Sequence, residues 1–328
     1  MIRSLYFAPD GKIRTDVSQG EFVLLLGEDD GVLWVDMYGG DREQYKQLLE
    51  TIFNFHSFAV DDALEQTHIP KVDDWGKYLY LVLFEIGFNQ EGEELVFQDE
   101  LDLFFGPGFL VTYHQDPIES LDRVWEICQR DPRYLKRGTP YLLYQIGASL
   151  VDGHLPVFDR IEVMIDELED QILKVPREDV LERIFLLKRA LLHIRRMMVP
   201  QQEVFSKLYH DEYLALDKNE RYLYRNIYDH YVRLTDLMES LRELLVSSLE
   251  IHLSATNNRM NQVVKTLTII TTMFMPITFV TSFFGMNFFQ KEVALTVWTG
   301  WLGLGISLLF ILIIPIVMFL WMRRRAWM

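Results

Sequence analysis

The sequence predicts an α+β membrane protein: an N-terminal cytoplasmic α/β domain, then a helical region whose long stalk helix continues into the first of two C-terminal membrane spans. Three observations support this fold class. Short runs rich in β-branched and aromatic residues fill the first part of the chain. Apolar residues recur at helical spacing from about Pro117, and two long uncharged runs lie near the C-terminus. The predicted domains are 1–116, 117–265 and 266–322, followed by a basic tail at 323–328.

Acidic residues dominate the part of the chain that precedes the spans. Lys265 and the residues after it hold five of the 32 basic and one of the 48 acidic side chains, which leaves a formal charge of −20 on the rest. This balance argues against nucleic acid as a partner, because nucleic acid requires a basic face, and it allows cations to accumulate nearby. Ordinary solubility explains the acidity equally well. The single cysteine, Cys128, excludes an intrachain disulfide and fits a reducing compartment.

The α/β domain contains four predicted strands and two predicted helices. The strands are Glu21–Leu26, Val32–Met37, Lys77–Phe88 and Glu94–Tyr113. The last of these contains Gly106-Pro107-Gly108 between two apolar runs, which predicts a hairpin. The helices are Tyr45–Phe55 and Ala59–Gln66, the second of which opens at Ser57 and ends before His68.

The helical region begins with two helices that are predicted to fold back on each other. Their apolar positions are Ile161, Ile165, Leu168, Ile172, Val180, Ile184, Leu187, Leu191, Ile194 and Met198. Val175-Pro176 interrupts this spacing, because proline breaks a helix, and the pattern resumes after it.

A third helix is predicted to start near Asn219 and to continue into the membrane. Its apolar residues at heptad spacing are Ile227, Tyr231, Leu234, Met238, Leu241 and Leu245. No strong breaker lies between Glu220 and Pro276, so we expect one helix of about sixty residues and on the order of 90 Å. Heptads next to the first span, one side of which is polar as described below, predict self-association.

Two uncharged runs are long enough to cross a hydrocarbon core, at about 266–284 and 293–322. Lys265 precedes the first span and Arg323-Arg324-Arg325 follows the second. Positive residues favour the cytoplasmic side, so both termini are predicted in the cytoplasm of a multi-pass protein of the cell (plasma or inner) membrane. The loop at Asn287–Glu292 then faces outward.

One side of the first span is polar. At about 100° per residue, seven residues fall within roughly a third of the helix circumference. They are Asn261, Val264, Leu267, Thr271, Met275, Thr278 and Ser282. Hydroxyls and an amide on one stripe suit either close helix packing or the wall of a water-filled pore, and the stripe alone leaves both open.

The end of this span carries a family motif. Gly285-Met286-Asn287 directly follows it, Lys265-Thr266-Leu267-Thr268 begins it, and Met275-Pro276 lies in its middle. In these motifs and their spacing the sequence resembles the CorA family of divalent-cation channels, whose first span closes with Gly-Met-Asn. The resemblance extends more loosely over most of the chain.

The resemblance implies a pentameric funnel, a homo-oligomer that passes hydrated Mg2+, and also Co2+ or Ni2+, into the cytoplasm. Gly285, Met286 and Asn287 would form the selectivity filter, and the stripe residues would line the pore, with Leu267 and Met275 as apolar constrictions. A neutral amide ring suits Mg2+, which holds its water shell tightly. The expected partners are divalent metal ions, membrane lipid and other copies of the chain. No cofactor is expected besides the divalent cation that is transported and that regulates the pore, and we expect this cation to be Mg2+.

The resemblance also implies that cytoplasmic divalent cation closes the pore by binding between protomers. Asp61 and Asp62 match the acidic sensing segment, and Glu250 is a further acidic candidate. Asn226 stands where the family has an aspartate on the long helix, so one charge is missing. Val264 likewise replaces a common methionine at the inner constriction.

Three other functions are kept as alternatives. A related branch of the family transports zinc, so the physiological ion stays open among Mg2+, Co2+, Ni2+ and Zn2+. A membrane-anchored sensor without transport would leave the polar stripe unexplained. An enzyme is disfavoured, because the sequence has no Gly-x-x-x-x-Gly-Lys, Gly-x-Ser-x-Gly or Cys-x-x-Cys motif and its histidines lack metal-ligand spacing.

Overall fold

A computed structural model of the chain describes residues 1–28, 30–66, 69–89, 94–174, 178–211, 213, 216, 219–285 and 301–324. The chain divides into two compact units, Met1–Glu250 and Ile251–Met328. The strands, all in the first unit, are β1 (Ile2–Phe7), β2 (Ile13–Thr15), β3 (Val32–Tyr38), β4 (Lys71–Asp74), β5 (Leu79–Phe88), β6 (Val96–Gly106) and β7 (Phe109–His114). The helices are α1 (Phe22–Leu25), α2 (Arg42–Thr51), α3 (Ser57–Glu65), α4 (Glu119–Arg130), α5 (Pro132–Leu135), α6 (Thr139–Lys174), α7 (Glu178–His210), α8 (Arg221–Gly285) and α9 (Trp301–Arg324).

The strands form one mixed sheet in the order β2-β1-β3-β7-β6-β5-β4. Only the β3–β7 pair among these neighbours is parallel. The predicted strands at β3 and β5 and the predicted β6–β7 hairpin are confirmed. Gly108 adopts a φ of +78° in the hairpin turn, a conformation that glycine reaches without strain.

The prediction of a strand at Glu21–Leu26 is wrong, because this segment is helical. A short 3₁₀ turn at Gln19–Glu21 leads directly into α1. The Glu21 carboxylate accepts hydrogen bonds from the Ser18 N–H at 3.3 Å and the Ser18 hydroxyl at 2.9 Å. This capping arrangement satisfies groups at the helix start, and it outweighs the β propensity of the apolar run.

Helices α6 and α7 fold back on each other, as predicted. Arg183 of α7 donates to Gln171 of α6 at 2.7 Å and lies 3.7 Å from Glu167. The ten apolar positions predicted for this pair are all buried. The predicted breaker, Val175-Pro176, lies outside the described residues.

Helix α8 confirms the predicted continuous helix, since its 65 residues run through Pro276 without a break. Its six heptad residues are no more than 3 % exposed in a single chain. Tyr231, for example, stacks on Phe205 of α7 at 5.3 Å, and a Cβ added at Gly147 of α6 would lie 2.9 Å from Ile227. The chain itself covers these heptad residues, so they do not form the surface through which copies would associate, and self-association stays a prediction that they do not test.

A buried polar node joins α6, α7 and α8 to the centre of β5. The Gln201 side-chain oxygen accepts from the Phe84 N–H at 2.9 Å and from the Tyr231 hydroxyl at 3.3 Å. His154 Nε2 lies 3.2 Å from the Phe84 carbonyl oxygen. Burial lowers the pKa of His154 to about 4, so its imidazole is neutral at pH 7.

The second unit contains the C-terminal part of α8 and helix α9. Among the described residues, α8 and α9 are the two helices long and apolar enough to cross a membrane. The first predicted span, 266–284, lies inside α8, and most of the second predicted span lies inside α9. The predicted span residues 293–300 lie outside the described residues.

Candidate functional site

The seven residues predicted to line a pore are all exposed on α8 in a single chain. Met275 is 73 % exposed and Leu267 is 62 % exposed, although both are apolar. Large apolar side chains that stay uncovered in this way indicate a surface that another molecule or a lipid environment covers. The described residues of the chain therefore do not supply the close packing that was one of the two explanations of the stripe.

The side of α8 that is shielded faces away from this stripe. Its half-buried residues are Ile269, Thr272, Met273, Pro276, Ile277 and Val280. At about 100° per residue, their mean direction is roughly opposite to that of the stripe. The shielded side is mostly apolar, whereas the unshielded stripe carries the hydroxyls of Thr271, Thr278 and Ser282.

The threonine hydroxyls of the stripe can only accept hydrogen bonds from outside the helix. Thr271 donates its proton to the Leu267 carbonyl oxygen at 2.9 Å, and Thr278 donates to the Phe274 carbonyl oxygen at 3.0 Å. A hydroxyl has one proton, so the lone pairs that remain are acceptors. Water molecules around a cation point their hydrogens outward, and such oxygens match them.

The predicted selectivity filter is described only in part. Gly285 is the last residue of α8, which agrees with its expected place at the end of the span. Met286 and Asn287 lie outside the described residues.

The two acidic residues predicted to sense metal both lie on α3, and each pairs with a lysine of its own chain. Asp61 is 2.6 Å from the Lys46 ammonium nitrogen. Asp62 is 2.6 Å from the Lys71 ammonium nitrogen, which also lies 2.9 Å from Asp73. Sequence reasoning did not predict either ion pair, nor the contact between Lys71 and Asp73.

The other two predicted regulatory residues are exposed on α8. Asn226 donates to the Tyr144 hydroxyl at 3.4 Å, and Glu250 ends the first unit. In the described part of the chain, no group of three or more histidine, cysteine, aspartate or glutamate side chains is arranged so that it could hold a metal ion. The four predicted residues therefore do not form a metal site within one copy there.

A buried charged cluster in the sheet was not predicted. Asp36 of β3 is fully buried, 2.7 Å from Arg3 Nε and 3.3 Å from His114 Nε2, and it accepts a hydrogen bond from the Thr112 hydroxyl. Arg3 also lies 2.5 Å from Asp122 of α4. Burial alone would raise the pKa of Asp36, but His114 and Arg3 outweigh it, and the pKa is lowered. The sequence signal that could have revealed this cluster is Asp36, a charged residue inside an otherwise apolar predicted strand.

Comparisons with known proteins agree with the architecture. Residues 29–324 match the family described as CorA-like Mg2+ transporter protein. The cobalt/magnesium transport protein CorA of Thermotoga maritima is 28% identical over 315 residues, 96% of this chain and 88% of that protein. The zinc transport protein ZntB of Yersinia pestis is 25% identical over 264 residues, 79% of this chain and 77% of that protein.

A solved structure extends this agreement to the fold. The complete structure of the CorA magnesium transporter from Methanocaldococcus jannaschii superposes with a TM-score of 0.82 at 22% identity, covering 100% of this chain and 99% of that one. The family match covers most of the chain and includes both apolar helices. The chain therefore belongs to the CorA-like Mg2+ transporter family and is a membrane-embedded divalent metal ion transporter, not an enzyme.

Proposed function

We propose that the chain is one subunit of a homo-oligomeric pore, a pentamer, that passes hydrated Mg2+, and also Co2+ or Ni2+, into the cytoplasm of the cell. The observation that carries this proposal is the polar stripe of α8, which is exposed in one chain and faces away from the shielded side of the same helix. Copies arranged around an axis, with this stripe inward, give the stripe residues a common aqueous surface. Both termini are then cytoplasmic, in keeping with the basic residues beside the spans.

The chemistry of the stripe supports a hydrated ion as substrate. Residues 266–286 contain no carboxylate that could bind a bare Mg2+ ion. Mg2+ loses its water reluctantly, so a pore of hydroxyl and amide oxygens that accept from its water shell avoids the cost of stripping it. Thr271 and Thr278 present such acceptors, and Asn287 would add an amide ring at the outer end.

Uptake into liposomes tests the proposed function directly. The full chain is reconstituted, and entry of Mg2+, Co2+, Ni2+ and Zn2+ is measured with and without a membrane potential. Mg2+, Co2+ and Ni2+ should enter, faster when the interior is negative. Uptake of Zn2+ alone would favour the alternative of a zinc transporter, which the similarity to ZntB keeps in view. Passage of no ion would favour a membrane-anchored sensor.

The apolar constriction gives a first prediction on variants. Met275→Ala should raise basal Mg2+ flux several-fold, because removing the side chain widens and wets the narrow point. Leu267→Ala should act in the same direction. Liposome flux without internal Mg2+ is the measurement.

Met273→Ala is the matched control, since Met273 is a half-buried methionine two residues away on the opposite side of α8. It should not raise flux. Equal flux in the parent and both stripe variants would assign Met275 and Leu267 to packing.

We further propose that cytoplasmic divalent cation closes the pore at an interface formed by Asp61 and Asp62 of one copy and Asn226 of a neighbour. Glu250, about 36 Å further along α8, is the next candidate if this interface is not the sensor. Carboxylates that face each other repel until a divalent ion bridges them, whereas Asn226 offers no opposing charge, only an amide oxygen that can accept a hydrogen bond from a metal-bound water. The region fits a hard cation, because the Asp62 and Asp73 oxygens already hold a positive charge between them.

Restoring charge at Asn226 gives the second prediction. Asn226→Asp should shift the Mg2+ concentration for half-closure downward, because a ligand shifts an equilibrium through its differential affinity for the two states. Asp62→Ala should shift it upward. Flux against internal Mg2+ measures both, with Asn219→Asp, the same change just before α8 begins, as the control. If neither variant moves the midpoint, this interface is not the sensor.

A further inference from the structure

Lys71 holds the position that a bridging cation would take at Asp62. Its ammonium nitrogen lies 2.6 Å from an Asp62 oxygen and 2.9 Å from an Asp73 oxygen, so one positive charge sits between two carboxylates from different elements. We propose that Lys71 is a tethered competitor of the regulatory divalent cation and sets the concentration at which that cation acts. This inference rests on the proposed function, in which Asp62 binds the closing cation.

The fold keeps this ammonium in place. Lys71 and Asp73 are two residues apart on β4, so their side chains share one face of this edge strand. Asp73 pairs across the sheet with Tyr80, and the Lys71 nitrogen lies 5.0 Å from the Tyr80 ring centre. Tyr80 is itself fixed by donating to the buried Asp102 at 2.6 Å. The Lys71 side chain is only 25 % exposed, in keeping with contacts on several sides.

The protonation state of Lys71 agrees with this role. Burial would lower its pKa, but the hydrogen bonds from its ammonium to Asp62 and Asp73 outweigh burial and raise it. The side chain is therefore cationic at pH 7.

Competition follows from simple electrostatics. A divalent cation that binds Asp62 must displace the ammonium or share the carboxylate with it, and the displaced ammonium stays tethered nearby, where it repels the ion. Removing the charge leaves Asp62 and Asp73 with excess negative charge, which favours the divalent ion. A partly exposed pair of this kind contributes modestly, so neutralising Lys71 should tighten the apparent affinity about two- to fivefold.

The chain provides a matched control. Lys46 lies 2.6 Å from Asp61, the same distance as in the Lys71–Asp62 pair, and Asp61 is the neighbouring residue on α3. No second ion pair of Lys46 is found among the described residues, in contrast to Lys71. A specific effect of Lys71 should therefore exceed that of Lys46.

The test uses the full chain in detergent, titrated with Mg2+ and digested with chymotrypsin, whose sites a lysine substitution leaves unchanged. Lys71→Gln should lower the Mg2+ concentration for half-maximal protection two- to fivefold, and Lys46→Gln should change it less than twofold. Lys71→Arg, which retains the charge, should stay near the parent. The same ranking is expected for closure in liposomes.

The possible failures can be told apart. An unchanged or raised midpoint in Lys71→Gln overturns the proposal, and so does an equal shift in Lys46→Gln or Lys71→Arg. If Mg2+ protects neither the parent nor any variant, Asp62 holds no regulatory cation and the proposal also falls. A parent that is protected by Mg2+ but passes no ion overturns the transport function alone, and the protection midpoints still decide the role of Lys71.

Discussion

Asn287→Ala should reduce Mg2+ uptake to the background of empty liposomes while leaving the oligomer intact. The amide at this position is the predicted first contact between the pore and the water shell of the ion. The segment 266–286 offers no carboxylate that could replace this amide. The threonine oxygens of the stripe come earlier in the chain, within α8. The measurement is initial uptake per reconstituted oligomer, with oligomer size determined by cross-linking or light scattering.

Gln290→Ala is the control for this experiment, because it removes a similar amide from the same predicted outer loop. Its uptake should stay close to that of the parent. Parent-like uptake by Asn287→Ala, with protein intact, would show that the selectivity assignment is wrong. Loss of the oligomer would instead give Asn287 a structural role.

Asp36→Ala is expected to destabilise the first unit by about 3–5 kcal/mol, the usual cost of removing one partner from a buried ion pair. Asp36 is fully buried, and its removal leaves the Arg3 guanidinium and His114 without their shared carboxylate. The lowered pKa of Asp36 shows that the folded state favours its ionised form. Denaturant unfolding of the full chain in detergent at pH 7, followed by far-UV circular dichroism, measures the loss.

Asp122→Ala provides the comparison, because Asp122 binds the same guanidinium at 2.5 Å but its side chain is 44 % exposed. An exposed partner of this kind contributes about 0–1 kcal/mol. The pH dependence of the stabilisation by Asp36 follows from its lowered pKa. Because the folded pKa is below the unfolded value, the stabilisation by Asp36 is complete above about pH 4 and is lost as the pH falls further. Equal effects of the two variants would contradict this account.

The sequence alone predicted the features that depend on the spacing of apolar and polar residues along the chain. Helix α8 and its polar stripe follow from uninterrupted helical spacing, and the hairpin follows from two apolar runs around Gly108. Strand β4 was missed because its residues, Lys-Val-Asp-Asp, are mostly polar and lie at a sheet edge, where one side needs no apolar cover. Periodicity also could not show whether the heptads of α8 meet another copy or the same chain.

Sequence periodicity could not predict contacts between elements that lie far apart in the chain. Lys46 and Asp61 are 15 positions apart, and Arg3 and Asp122 are 119 positions apart, so only the tertiary fold brings their charges together. The pairing of Asp62 with Lys71 changes the predicted regulatory site more than any other finding. The sequence predicted that the Asp62 carboxylate binds a metal ion, and in the structure this carboxylate forms an ion pair with a lysine.

The polar node at Gln201 limits how α8 can move. A piston-like slip of one helical turn, about 5.4 Å, would withdraw the Tyr231 hydroxyl from Gln201 and leave buried polar groups without partners. Each such group costs about 1–3 kcal/mol, and the covered heptad residues would lose their packing as well. Within the first unit, these contacts therefore resist sliding of α8 along the sheet. If cation binding near α3 closes the pore as proposed, the contacts of the first unit disfavour axial sliding of α8 against the sheet as the movement that transmits it.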